Sequence, residues 1–236
     1  MENKVVLITG ANGGLGSVFV SKVLELNPSK IYCTARDSKS LDAIKAMSDI
    51  IEVIEMDITS KDSINDAVSK IDTLDILINN AGVNSNKQLF DDSFLDLEVN
   101  FKGTVNLTQV LFEKLKSSKG TIINITSVLA LVNLPVLSSY CVSKSALHSF
   151  TQALRAEFGL YSGNVYEVLP GPIETRMTEG SPMPKTKPED IVNAVLASIK
   201  NEEFEIYPDG FSQMVKQRLE NEPEKLIEEF SMSLQG

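Results

Sequence analysis

Val5-Val6-Leu7-Ile8-Thr9-Gly10-Ala11-Asn12-Gly13-Gly14-Leu15-Gly16 is the stretch whose reading decides the fold. Val5 to Ile8 is a short, continuously apolar run, as expected of a strand buried on both faces. The run ends in a glycine-rich turn that leads into a helix from Ser17. In that context Gly10 permits a tight turn, Gly14 lets a pyrophosphate approach the backbone, and Gly16 lets the helix pack close to the strand. The helix N-terminus adds N–H groups and partial positive charge for an anion. With 13 glycines in the chain, this spacing arises by chance in roughly one such sequence in twenty-five, so the strand and helix around it carry the weight.

Working outward, similar apolar runs recur at Ile31 to Thr34, Ile51 to Met56, Leu74 to Ile78, Thr121 to Ile125 and Val165 to Leu169, with helical stretches between them. Repeated βαβ units with right-handed crossovers give a three-layer α/β fold, a doubly wound, Rossmann-like parallel sheet. Two long helices are explicit. Val142, Ala146, Phe150, Ala153, Leu154 and Phe158 recur at helical spacing from Ser138, with Ser138 or Ser139 as N-cap, and a second helix runs from Phe94 to Leu115. No repeat or interior linker divides the chain before about residue 208. Residues 1–208 therefore read as one domain and 209–236 as a short helical tail.

Composition removes other classes. The chain has 236 residues, a net charge of −10 and 2 cysteines, which excludes disorder, collagen and a disulfide scaffold. The acidic balance and the lack of a basic, aromatic-interleaved run exclude nucleic acid as a partner, and no apolar run is long enough to span a membrane. With no signal-peptide layout, the expected location is cytoplasmic. Cys33 and Cys141 read as buried structural thiols, the acidic Glu202, Glu203 and Glu205 as a solvated face, and His148 as structural or solvent-facing. No His/Cys cluster has metal spacing.

The residues able to carry chemistry lie at strand ends. Asn79-Asn80-Ala81-Gly82 follows the fourth run, where amide side chains bridge neighbouring strands and border a ligand crevice. Tyr140 and Lys144 share a helix face, so the ammonium is expected to lower the phenol pKa and let Tyr140 exchange a proton near neutrality. Ser127, at a strand end, can hydrogen-bond a substrate carbonyl. Asn100 joins them from the earlier helix. A Tyr with Lys four residues on arises by chance in roughly one chain in three with five tyrosines; the combination is far more specific.

Together these motifs resemble the classical short-chain dehydrogenase/reductase family, marked by T-G-x-x-x-G-x-G, N-N-A-G, a catalytic Asn, a Ser thirteen residues before the Tyr, and Y-x-x-x-K. Thr9 to Gly16, Asn79 to Gly82, Asn100, Ser127, Tyr140 and Lys144 fit that pattern, as does Pro170-Gly171-Pro172-Ile173-Glu174-Thr175 for the loop beside the nicotinamide. The match covers roughly residues 4 to 208. The resemblance implies an oxidoreductase passing hydride between a nicotinamide dinucleotide and a small carbonyl or secondary alcohol. It gives Tyr140 the acid/base role, Lys144 a hold on the nicotinamide ribose, Asn100 a relay water and Thr175 the carboxamide. The implied cofactor contacts are Gly10, Asn12, Gly13, Gly14, Leu15, Gly16, Asp57, Ile58, Asn80, Ala81, Gly82, Tyr140, Lys144, Pro170, Gly171, Ile173 and Thr175.

The family's NAD-selecting Asp is absent. Ala35 stands in its place, followed by Arg36, so NADP(H) is expected over NAD(H), with Asp37 facing solvent or capping the next helix. Three departures concern the substrate cleft: a short Gly82-to-Asn100 stretch, Tyr166 where the family commonly has Asn, and a brief Met177-to-Pro188 flap containing Thr178, Gly180, Ser181, Pro182 and Pro184. The rivals are a catalytically idle dinucleotide sensor or scaffold, and a sugar-nucleotide epimerase of the extended subfamily. The intact Asn100, Ser127, Tyr140 and Lys144 set argues against the first, and length and glycine spacing against the second. The resemblance also implies a homodimer or homotetramer through the two long helices. In the tail, Phe211, Met214, Val215 and Leu219, then Leu226, Ile227, Phe230 and Leu234, form apolar stripes on two helices separated near Pro223, with Asn221 or Glu222 as cap. Those stripes must dock on the body, a second subunit or the cleft.

Overall fold

The computed structural model describes residues 1–91 and 95–234. Seven parallel strands, β1 (Val5–Thr9), β2 (Lys30–Ala35), β3 (Ile51–Glu55), β4 (Ile76–Asn79), β5 (Thr121–Ile125), β6 (Asn164–Val168) and β7 (Glu205–Ile206), form one sheet in the order β3-β2-β1-β4-β5-β6-β7. The chain reverses its winding between β1 and β4, and the crevice at the carboxyl ends of those strands is where such sheets bind ligands. β7 is an addition to the sequence expectation. Only two residues long, it lies in the acidic stretch read as solvated, and Glu205 in it remains exposed.

Alternate residues feed two cores. Val6, Ile8, Ile31, Cys33, Ile76, Ile78, Ile123 and Ile125 pack under α1 (Gly14–Leu24), α2 (Asp42–Lys45) and α6 (Pro188–Lys200). Leu7, Tyr32, Leu77, Ile122 and Val165 pack under α3 (Lys61–Val68), α4 (Thr104–Ser117) and α5 (Ser138–Gly159). This two-sided burial explains why the strands read as continuous apolar runs.

Two helix expectations are corrected. The Phe94 start lies outside the described residues, and Leu97–Gly103 ahead of α4 is π-helical, with Asn100 at its centre. The N-cap of α5 is Leu137, with no side-chain cap; Ser138 is already helical, and its hydroxyl donates to the Pro135 carbonyl at 2.6 Å.

The tail forms α7 (Gly210–Asn221) and α8 (Pro223–Ser231). Val215 and Leu226 pack with Val128, Val132 and Leu169, joined by Phe211, Met214, Leu219 and Phe230, so the tail docks on the body beside the carboxyl ends of β5 and β6. Ile227 and Leu234, counted in the apolar stripes, face solvent instead. Glu222 occupies the cap position before Pro223, but its carboxylate takes Arg218 and Lys225 rather than the helix N–H groups. The turn Met232–Leu234 lies against Pro135–Leu137, just ahead of the Tyr140 helix. Leu226 is fully buried. Leu226→Ala is expected to cost about 2–5 kcal/mol and to lower the thermal midpoint by about 2–4 °C per kcal/mol. An unchanged midpoint would mean that the tail does not brace the body.

Candidate active site

The glycine turn and the Asn-Asn-Ala-Gly turn are fastened to each other. The Thr9 hydroxyl accepts the N–H groups of Asn80 and Ala81, both at 3.0 Å, and the Asn80 amide donates to the carbonyls of Thr9 and Gly10 at 2.9 and 3.1 Å. Gly10 is left-handed at φ +63°, and a side chain at Gly16 would lie 2.2 Å from the Gly10 carbonyl oxygen. Glycine is therefore required at both ends of the turn. No side chain closes the start of α1, where Gly13 is the cap, so its first N–H groups are available to an anion. Asn12 is exposed and reaches Ser40 at 3.0 Å; Gly14 is exposed beside Thr175, and Leu15 is buried beneath the turn.

Asn79 looks inward. Its amide donates to Asn124 at 2.8 Å and to Thr108 at 3.2 Å, and Asn124 donates to Thr151 at 2.8 Å, which ties β4 and β5 to α4 and α5 under the crevice.

Asn100, Ser127, Tyr140 and Lys144 come together at the same strand ends. Asn100 is fully buried and clamps Val83, accepting its N–H at 2.8 Å and donating to its carbonyl at 2.9 Å, while also donating to Ser143 at 2.9 Å. The π-helical segment that carries it adds residues per turn, a distortion found mostly at functional sites. Gly82 lies against both Asn100 and Lys144: a Cβ there would sit 3.1 Å from Asn100 Oδ1 and 3.7 Å from Lys144 Nζ. Lys144 is buried, donates to the Ile125 carbonyl at 2.8 Å, and stands 5.6 Å from the Tyr140 ring centre. Ser127 accepts the Leu129 N–H at 3.1 Å and faces the Pro170 carbonyl at 3.4 Å.

The electrostatics correct one expectation. The Tyr140 phenol is pushed above its ordinary range, because burial of the phenolate outweighs the opposing hydrogen bond with Ser127. Lys144 stands over the ring face rather than offsetting that loss of water. Burial also draws Lys144 down to about 8, against the upward pull of Asp96 and Glu167. A phenol held protonated is suited to donate once negative charge develops beside it. Burial pushes the Cys33 thiol up to about 12 and raises Cys141 as well, so both are unreactive.

Around this centre, Arg36 is exposed at the end of β2, and its charge helps hold the Asp57 carboxyl below its ordinary range, behind the larger effect of hydrogen bonds from Thr59. Asp37 caps the following turn by accepting the Lys39 N–H at 3.0 Å. Ile58 is buried against Gly103. Pro170 accepts Val128 N–H at 3.1 Å, Ile173 bridges to Thr186 at the far end of the flap, and Thr175 begins the turn Arg176–Thr178. Tyr166, in the usual Asn position, stacks on Phe204 with ring centres 5.2 Å apart.

Two contributors were missed by sequence reasoning. Asp209 is buried between the tail and the proline-glycine loop, accepting Gly171 N–H at 2.9 Å and Ser212 N–H at 2.8 Å. Its signal was a capping-type Asp three residues before Ser212, at the start of the tail pattern. Glu167 is a fully buried carboxylate in the otherwise apolar run Val165 to Leu169, bonded to His148. A charge inside a continuous apolar run was the legible sign of it.

A doubly wound parallel sheet with an open glycine turn at its switch point, and a Tyr-Lys pair across the crevice, defines a dinucleotide-dependent oxidoreductase. A family model described as short chain dehydrogenase matches residues 4–185, and the chain belongs to the short-chain dehydrogenase/reductase family. A Burkholderia cenocepacia short chain dehydrogenase solved in complex with NADP superposes with a TM-score of 0.92 at 33% identity, covering 97% of this chain and 98% of that one. A Burkholderia phymatum short chain dehydrogenase/reductase in complex with NAD shares the fold at a TM-score of 0.81 and 21% identity, over 93% and 94% of the two chains. Human dehydrogenase/reductase SDR family member 7 is 31% identical over 201 residues, 77% of this chain; the chain spans 58% of that relative's length. No helix among the described residues is long and apolar enough to cross a membrane.

Proposed function

We propose that this enzyme transfers hydride between NADP(H) and a small carbonyl or secondary alcohol, with Tyr140 as the acid/base. The observation that carries the reading is the meeting of Asn100 and Lys144 at Gly82, with Tyr140 next to Lys144 and hydrogen-bonded to Ser127, beside a glycine turn whose helix start no side chain closes. Bound nicotinamide would supply the hydride. Residues Gly10 to Gly16 would hold the pyrophosphate, Asp57 and Ile58 the adenine, Asn80 to Gly82 and Lys144 the ribose side, and Pro170, Gly171, Ile173 and Thr175 the nicotinamide. In the reductive direction Ser127 orients the carbonyl oxygen and Tyr140 delivers its proton to that oxygen as charge develops there. Lys144 holds positive charge over the face of the Tyr140 ring, and Asn100 keeps the π-helical turn in register with Lys144's helix through Ser143. Residues 1–208 serve as the catalytic body, and 209–236 brace its proline-glycine loop through Asp209.

Arg36 supports the phosphorylated cofactor, since a guanidinium binds a 2′-phosphate bidentately. The NADP complex of the Burkholderia cenocepacia relative also supports it. Arg36→Ala is expected to lower kcat/KM for NADPH by about 10- to 100-fold and to leave NADH little changed, the loss of one charge-assisted contact. An unaltered NADPH/NADH ratio would overturn the assignment. The location we propose is cytoplasmic, and the assembly we propose is a homodimer or homotetramer paired through the two long helices α4 and α5, to be checked by sizing in solution.

A further inference from the structure

Below the Tyr140–Lys144 pair lies a second pair of titratable groups that the hydride chemistry does not use. Glu167 is fully buried in β6, between Tyr166 and Val168. A carboxylate in that position needs a partner, because stripping it of water costs several kcal/mol. The partner is His148, the chain's only histidine, whose Nδ1 lies 2.9 and 3.0 Å from the two carboxylate oxygens, with Nε2 3.1 Å from the Gln152 amide.

Helix and strand bring this pair to Lys144. Tyr140, Lys144 and His148 are spaced four apart and run down one side of α5. On the sheet, Lys144 donates to the Ile125 carbonyl; Ile125 is the register partner of Val168, the neighbour of Glu167. We propose that Glu167 is a counter-charge shared by Lys144 and His148, which makes Glu167 and His148 positioning residues for the proton on Lys144.

The remaining groups define the sign. Lys144 faces Tyr140 on its own helix, Glu167 from β6, and Asp96 from the segment before α4; Asp96 is fully buried and takes the Ser85 N–H at 2.9 Å and hydroxyl at 2.6 Å. His148 faces Glu167 from β6, Glu205 from β7 and Arg155 on its own helix, and it titrates above its ordinary range because the hydrogen bond to Glu167 outweighs its burial. Below that midpoint the imidazolium cancels the Glu167 charge and the hold on the Lys144 proton weakens. Above it His148 is neutral and the whole carboxylate charge acts on Lys144, offsetting part of the lowering that burial imposes on its proton. The stability that His148 gains from Glu167 is complete below about pH 6.5 and is lost as pH rises through the higher folded-state midpoint.

The inference rests on the proposed role of Lys144, so the test needs no turnover. The single imidazole is titrated by proton NMR in the full-length protein, as wild type, Glu167→Gln, Lys144→Met and Lys144→Arg, with circular dichroism confirming each fold. The wild-type midpoint is expected above 6.5, with Glu167→Gln lower by about one unit and Lys144→Met higher by several tenths, because a nearby cation has gone. Lys144→Arg, which keeps the charge, should titrate as wild type. An unmoved midpoint in a folded Lys144→Met, or an unmoved one in Glu167→Gln, overturns the shared counter-charge. Absence of any NADPH chemistry would instead remove the proposed function and leave these midpoints to be judged alone.

Discussion

Tyr140→Phe is expected to reduce turnover by about 10² to 10⁴, the range of a positioned general acid/base, while NADPH affinity stays within a few-fold of wild type. The substitution deletes one oxygen and its proton and leaves the ring that lies near Lys144 and the cleft. Because burial holds the phenol protonated, the wild-type group delivers a proton only to an oxygen that is becoming an alkoxide, and phenylalanine has none to deliver. Turnover near wild type would remove Tyr140 from the acid/base role, whereas NADPH binding with no turnover by the wild type would leave a nucleotide sensor as the better description. Single-turnover NADPH oxidation, with binding followed separately by fluorescence, distinguishes the two.

Lys144→Met should damage binding and chemistry together, with kcat/KM for NADPH down by about 10³ or more. Two losses combine. The ammonium over the Tyr140 ring disappears from a buried site where charge is poorly screened, and the Ile125 carbonyl loses its 2.8 Å donor. Leaving that acceptor unpaired costs about 1–3 kcal/mol, so some fall in thermal midpoint should accompany the kinetic loss. Lys144→Arg keeps the charge but not the compact point donor, and is expected to recover stability before activity. A Lys144→Met protein with an unchanged KM for NADPH would separate Lys144 from the cofactor.

The fold was legible because its decisive signals are local. Val5 to Ile8 followed by the glycine turn specifies strand, turn and helix within a dozen residues, and repetition of the apolar runs specifies a parallel sheet. β7 was not legible, since two residues at a sheet edge carry no periodicity, and a charged Glu205 there is as compatible with a solvated loop. The π-helical turn at Asn100 was hidden for another reason: the apolar spacing of Leu97, Phe101 and Val105 is helical either way, and nothing in it marks the wider turn that the backbone takes over Leu97–Gly103. Candidate site residues carried by motifs were named from the sequence. Asp209 and Glu167 were not, because each acts through a contact across more than 15 residues of chain, with Gly171 and with His148. The expected fall in the Tyr140 pKa failed on a matter of degree, as helix spacing gives proximity to Lys144 but not the amount of water that packing removes.

The central claim, hydride transfer to a carbonyl with Tyr140 supplying the proton, is tested most directly by incubating the enzyme with NADPH carrying deuterium at both nicotinamide C4 positions and a panel of aldehydes, ketones and quinones. Mass spectrometry of the products then follows the label. The account predicts deuterium on the carbinol carbon of at least one aldehyde or ketone product, formed by wild type and reduced by at least about 10² in Tyr140→Phe. Tight NADPH binding with no label transferred to any carbonyl, or equal transfer by wild type and Tyr140→Phe, would contradict it.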